Sequence, residues 1–313
     1  MKRTILDTDP GVDDALAILL ALGSPELHVV GISAVSGNVE LARCVRNALR
    51  VLRLTGRMDL PVHAGASRPL IREPFRAEIV HGRDGLGDAG VSDAGRGADS
   101  EDAVGFLVRT LRADPGAISL VATGPLTNLA LAERQSPGVL KQAREVIVMG
   151  GAVREQGNAT PTGEFNFVAD PHAAREVLHA GANLTLVPLD VTHRCLLAEE
   201  AVRRRIAPLR TPVSDFIART TALCRAYMKN VEGVEGFHLH DPLAVGVGID
   251  PSFCETEVMR LDVETEGGLT AGQVVADRRV FVDERLLNGS NVRVCVGVDR
   301  KRFVEFFLER VLK

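Results

Sequence analysis

The sequence predicts an α/β fold: an open, doubly wound, mostly parallel sheet with a β-rich C-terminal extension. Three observations carry this. Short apolar runs alternate with helical stretches through most of the chain, with no break in composition. The first such unit is a strand, a tight acidic loop and a helix, and open α/β sheets bind ligands just outside a strand's carboxyl end. The 313 residues are enough for one large core.

Residues 4–6 are the apolar run of the first strand. The loop Asp7-Thr8-Asp9-Pro10-Gly11-Val12-Asp13-Asp14 follows, and an apolar helix over 15–22 stops at Gly23. Residues 27–35 read as a buried strand ending in Ser36-Gly37-Asn38, and 40–54 as a helix. A short strand occupies 61–65. From 68 to 100 the hydrophobic pattern fails. This polar, glycine-rich stretch holds His81-Gly82-Arg83-Asp84-Gly85-Leu86-Gly87 and is expected to be a mobile lid.

Periodicity returns with a helix over 101–112 and a strand over 118–122. Thr123-Gly124-Pro125-Leu126-Thr127-Asn128 opens the next helix. A strand over 145–151 ends in a glycine pair. Asp170-Pro171 caps a helix reaching residue 180, and 184–190 is a further strand, with Thr192 and His193 beyond it read as structural. Residues 198–229 are helical. His240-Asp241-Pro242 leads into an apolar helix ending near Gly248. Segments 258–264, 272–278 and 291–298 alternate as strands, and a helix over 300–312 closes the chain. The expected organisation is a single domain over 1–313.

Four aspartates within eight residues set the chemistry of the first loop. A helix N-terminus welcomes one or two carboxylates, but four repel one another between apolar flanks. A hard divalent cation resolves this, because Ca²⁺ and Mg²⁺ take carboxylate oxygens. Taken singly, Asn38 reads as a turn residue and His240-Asp241 as a helix cap.

A net charge of −4 and a pI near 6.1 argue against a nucleic-acid footprint, as do the absence of Trp and the single Tyr. Five widely spaced cysteines, none in a C-x-x-C pair, point to a reducing cytoplasm. No apolar run is long enough to cross a bilayer.

The motifs in order, from the opening aspartates through Ser36-Gly37-Asn38, His81-Gly82, Thr123-Gly124-Pro125-Leu126-Thr127-Asn128, Val148-Met149-Gly150-Gly151, Glu164-Phe165-Asn166 and Asp190-Val191-Thr192-His193 to His240-Asp241-Pro242, resemble the nucleoside hydrolase family of inosine-uridine preferring type. The resemblance covers nearly the whole chain. It implies hydrolysis of the N-glycosidic bond of ribonucleosides, giving ribose and free base, with one Ca²⁺ per chain. Asp9, Asp14 and Asp241 would be side-chain ligands of the metal, and Thr123 would offer its backbone carbonyl. Asp9 would also be the general base toward a water on the metal. Asp13, Asn38, Asn158, Glu164 and Asn166 would hold ribose, with Met149 packed against the sugar. His240 would assist the departing base, with His81 on the lid nearby, and Phe165 and Tyr227 would line the base side. The family resemblance also implies a homodimer or homotetramer. His238 receives no role.

Two rival readings stand beside this one. Asp7-Thr8-Asp9 imitates the haloacid dehalogenase-like phosphatases, in which the first aspartate is a nucleophile and Mg²⁺ is bound. A non-catalytic nucleoside-binding protein would use the same pocket without turnover.

Overall fold

The computed structural model describes residues 1–279 and 289–313. Its described strands are β1 (Lys2–Thr8), β2 (Leu27–Ala34), β3 (Val62–Ala64), β4 (Ile118–Ala122), β5 (Glu145–Met149), β6 (Leu184–Val187), β7 (Leu196–Ala198), β8 (Gly236–His238), β9 (Cys254–Val263), β10 (Val274–Asp277) and β11 (Ser290–Val298).

Successive strand side chains point to opposite faces, and here both faces are apolar. Leu6 of β1, Val121 of β4, Ile147 of β5 and Val187 of β6 join one core cluster; Ile5, Leu120, Val148 and Leu186 join the other. Helices cover both clusters. Val12–Leu22, Leu41–Leu54, His240–Ile249 and Arg300–Val311 pack on the first face, and Ala103–Ala113, Thr127–Gln135 and Pro171–His179 on the second. Burial on both faces explains why the strands read as continuous apolar runs.

Among the described residues, nine strands form one sheet in the order β10-β9-β11-β6-β5-β4-β1-β2-β3. Pairings from β11 across to β3 are parallel, whereas β9 and β10 join antiparallel. The chain winds outward from β1 through β2 to β3, then crosses back to β4 on the other side of β1. The carboxyl end of β1, where the acidic loop begins, is therefore the topological switch point.

The structure adjusts four sequence expectations. The C-terminal strands are not an appendage; β11 pairs with β6 and extends the main sheet. The strand expected over 184–190 stops at Val187, because Pro188 brings no amide to the ladder and a helical turn, Leu189–Thr192, starts after it. The helix expected over 198–229 is broken around Pro208 and Pro212, with Arg210 left-handed between them, and its regular part is Pro212–Tyr227. Just before that stretch, β7 pairs antiparallel with β8, a two-stranded sheet with no signal in the sequence pattern.

The stretch from 68 to 100 is irregular except for one helical turn, Glu78–His81. It is tied down along its length. Leu70 N–H donates to Asp170, Ala77 N–H to the Asn38 carbonyl, and Asn47 Nδ2 reaches the carbonyls of both Pro10 and Asp84. Leu86 is fully buried in the core. Among the described residues no helix is long and apolar enough to cross a membrane.

Asn128 braces the centre of the sheet. Its Nδ2 donates to Asp7 Oδ2 at 2.9 Å and to the Ala34 carbonyl at 3.2 Å, while its Oδ1 accepts the Ala66 N–H at 2.8 Å. Replacing Asn128 by Ala strands buried partners on three segments. Urea denaturation is expected to show a loss of about 2–3 kcal/mol; a change within about 0.5 kcal/mol would mean that the brace is dispensable.

Candidate active site

The acidic loop owes its shape to its own sequence. Strand β1 ends at Thr8, and Gly11 is the N-cap of Val12–Leu22. Asp14, at the third helical position, reaches back to accept the Gly11 N–H at 3.0 Å. It also accepts the hydroxyls of Thr8 and Thr123 and Nδ2 of Asn38, so four donors surround one buried carboxylate.

Asp9 lies in a slot without room for side chains. A Cβ on Gly37 would come within 2.0 Å of Asp9 Oδ2, and one on Gly124 within 2.7 Å of Oδ1. Glycine at both positions lets two backbones close on the carboxylate. Oδ2 accepts the Asn38 N–H at 2.6 Å, and Oδ1 is buried without a partner.

Asp13, Asp14 and Asp241 offer carboxylate oxygens that all lie within 4.8 Å of one another, and all three are buried. Asp241 comes from the first turn of His240–Ile249, far along the chain. This grouping differs from the ligand set expected from the sequence. Asp13, expected on the sugar, falls inside the group, and Asp9 flanks it. The Thr123 carbonyl, another expected ligand, accepts Asn166 Nδ2 at 2.8 Å.

The electrostatics are those of acids crowded out of water. Burial, then the neighbouring Asp14, push Asp13 up to about 8. Burial also holds Asp9 and Asp241 well above the usual carboxylate range, with the other aspartates adding to the effect. Two buried oxygens, Asp9 Oδ1 and Asp13 Oδ1, lack any partner. This donor set, hard, anionic and under-satisfied, fits a divalent cation.

A cavity of about 220 Å³ opens over the acids. Asp13, Thr123, Asp241, Asn38 and Met149 line it. The segment 158–166 supplies Asn158, Glu164, Phe165 and Asn166. Glu164 caps the short helix Phe165–Ala169 and accepts three backbone N–H groups, from Gly151, Asn166 and Phe167. Burial nonetheless pushes its carboxyl up to about 7. Asn158 Oδ1 accepts the Phe165 N–H at 2.9 Å.

Histidines and apolar groups line the remaining wall. His81 accepts the Val12 N–H on Nδ1 at 3.1 Å and sits 3.8 Å from Asp13. A ring accepting on Nδ1 carries its proton on Nε2 when neutral, and burial lowers its pKa to about 4. His240 Nδ1 meets the Thr192 hydroxyl at 2.7 Å, and burial with nearby imidazoles holds His240 well below its usual pKa. Tyr227 also lines the cavity. So do residues that sequence reasoning missed: Phe75, Arg76 and Ile79 on the lid stretch, Glu232 and Phe237 before His240, and His193. The signals for His193 were its place just beyond a strand's carboxyl end and the motif Asp190-Val191-Thr192-His193.

The phosphatase reading needs Asp7 as its nucleophile. Asp7 is fully buried in β1, and its Oδ2 takes hydrogen bonds from Ser33 of β2 and from Asn128, which commits that oxygen to bracing the sheet; like Asp9, Asp7 lies outside the cavity lining.

Comparison with known proteins identifies the family. The family model described as inosine-uridine preferring nucleoside hydrolase matches residues 4–305. A pyrimidine-specific ribonucleoside hydrolase of Citrobacter koseri is 38% identical over 309 residues, covering 98% of this chain and 97% of that one. An uncharacterized protein of Schizosaccharomyces pombe is 39% identical over 310 residues, covering 99% and 98%. A solved structure of a purine-preferring ribonucleoside hydrolase from Gardnerella vaginalis superposes with a TM-score of 0.91 at 35% identity, covering 99% and 98%. A plant nucleoside hydrolase superposes with a TM-score of 0.93 at 31% identity, again over 99% and 98%.

If the acid group holds a cation, binding must displace protons from carboxylates whose pKa values are raised. Adding Ca²⁺ or Mg²⁺ to chelator-treated protein is expected to raise Tm, and to raise it more at about pH 8 than at about pH 5, because the upper pH reaches the midpoint of the Asp13 titration and the lower leaves Asp13 protonated. Absence of a shift with either cation, or one independent of pH, would count against the site.

Proposed function

The chain belongs to the inosine-uridine preferring nucleoside hydrolase family, and from that premise we propose that it hydrolyses inosine- and uridine-like ribonucleosides to ribose and free base in a calcium-dependent reaction. One observation carries the reading: a single cavity joins a buried acid group to a wall of histidines. The first suits a cation and the hydroxyls of a sugar, the second a departing base.

Asp9, Asp14, Asp241 and the Thr123 carbonyl are the proposed ligands of one Ca²⁺ per chain, whose flexible all-oxygen shell suits them. Bound there, the cation would offset the repulsion among the acids and lower the pKa of water at the site. Asp9 is the proposed general base. Its Oδ2 is occupied by the Asn38 N–H, which leaves Oδ1 to take a proton. Asp13, Asn38, Asn158, Glu164 and Asn166 hold the ribose hydroxyls, and Met149 packs against the sugar. Fixing the sugar in this way removes orientational freedom before the bond breaks, a contribution of up to roughly 7–11 kcal/mol in favourable cases. As the bond lengthens, the ribose gathers oxocarbenium-like charge, and the carboxylates around it stabilise that charge.

The base leaves toward His240. The neutral state of His240 favours donation of a hydrogen bond over delivery of a full proton. A Thr192 hydroxyl that donates to Nδ1 would leave the ring proton on Nε2, free for the base. His81 acts the same way from the lid stretch, and Phe165 and Tyr227 flank the base. We place this activity in one catalytic domain over 1–313 and, from the family resemblance, in a homodimer or homotetramer. The cytoplasm is the proposed compartment, since all five cysteines are free thiols.

The test is release of reducing sugar from inosine, uridine, cytidine and adenosine. Release from at least one is expected, and Asp9→Asn should lower it by about 10²–10⁴-fold; a near-normal rate would remove Asp9 as the base. His240→Ala should depress turnover of nucleosides by at least about 10²-fold while sparing p-nitrophenyl riboside, whose leaving group needs no hydrogen bond. Equal losses on the two substrate types would contradict the role given to His240.

A further inference from the structure

The wall of the cavity around His240 contains a second imidazole that the mechanism above does not use. His193 follows the helical turn Leu189–Thr192, beyond the carboxyl end of β6, and lines the same cavity. Its ring centroid lies 5.6 Å from that of His240, with 64° between the planes. It lies 5.2 Å from that of His238, and His238 lies 5.5 Å from His240. The three rings form a near-equilateral triangle.

Two hydrogen bonds staple the segments that carry these rings. Thr192, next to His193, meets His240 Nδ1 at 2.7 Å, and the Leu239 N–H donates to the Cys195 carbonyl at 2.8 Å. His238 is buried, lies outside the cavity lining, and packs behind the other two rings. His193 is thus backed on one side and open to the cavity on the other. It stands beside His240, with Phe237 in the same cavity lining, while the polar groups assigned to ribose follow β1, β2 and β5 in the chain.

A neutral imidazole offers one donor and one acceptor, and every nucleobase edge carries groups that match one or the other. Burial lowers the His193 pKa and so favours the neutral ring. Resting on the hydrolase reading above, we propose that His193 is a second base-contacting residue and a determinant of which bases the site accepts.

The experiment is equilibrium binding of free ribose and of two C-nucleosides that resist hydrolysis, formycin B and pseudouridine, to the calcium-loaded protein. His193→Ala is expected to weaken at least one C-nucleoside by about tenfold and to change the ratio of the two, with ribose within about twofold of wild type. His193→Gln, which keeps a donor and an acceptor, is expected to restore part of the loss. Equal weakening of ribose and both C-nucleosides in both variants would make His193 structural and overturn the proposal, as would unchanged binding of all three. Because binding requires no turnover, a wild type that binds C-nucleosides yet releases no sugar from inosine, uridine, cytidine or adenosine would defeat the hydrolytic reading while leaving the His193 comparison decisive.

Discussion

Carboxylates that repel one another, held together out of water, are the constraint on which the rest of the site depends. Asp9, Asp13, Asp14 and Asp241 are each less than a tenth exposed. Burying one unpaired carboxylate is costly, and burying several side by side costs more. The surrounding structure meets part of that cost. Four donors converge on Asp14, and the Asn38 amide holds Asp9. Two helices, Val12–Leu22 and His240–Ile249, begin at the cluster, so the positive ends of their dipoles face the acids. The two unpartnered oxygens, on Asp9 and Asp13, are what these devices leave over.

The sheet order explains why such a cluster can be assembled at all. Winding outward from β1 in both directions opens a crevice at its carboxyl end. Loops after β1, β2, β4 and β5 and the start of the helix carrying Asp241 all reach that crevice. The core itself supplies rigidity, with apolar residues of each strand shared between two helical layers. Polar groups of the cavity are therefore fixed by strands rather than by the loops alone. Glu164 shows the principle: three backbone amides aim its carboxylate before any ligand arrives.

Around His240 the cavity is built by different means. His240, His193 and His238 are held by ring packing and by the staple between the 192–195 and 238–240 segments. His81 is fixed by the amide of Val12, which links the lid stretch directly to the acidic loop. A movement of that stretch would thus be felt at the N-terminus of the helix bearing Asp13 and Asp14. The two ends of the cavity are mechanically joined although their chemistry differs.

The alternation of strands and helices, the caps at Asp170 and at the acidic loop, and the ligand-bearing end of β1 were all legible in the sequence, because they follow from local periodicity and local hydrogen bonding. The acidity of the first loop likewise pointed to a cation, since four aspartates in eight residues repel one another unless positive charge joins them. Tertiary structure alone decided the rest. It set Asp13 close to Asp14 and Asp241, because that depends on how the helix starting at Val12 faces Asp241 across the crevice. It turned Thr192 from a strand-end residue into the partner of His240, and His193 into a cavity wall, because the proline after β6 redirects the chain there. It also merged the last three strands into the main sheet, a pairing between distant segments that no local pattern encodes. Sequence by itself settled which chemistry was available; the packing of remote segments settled which atoms meet.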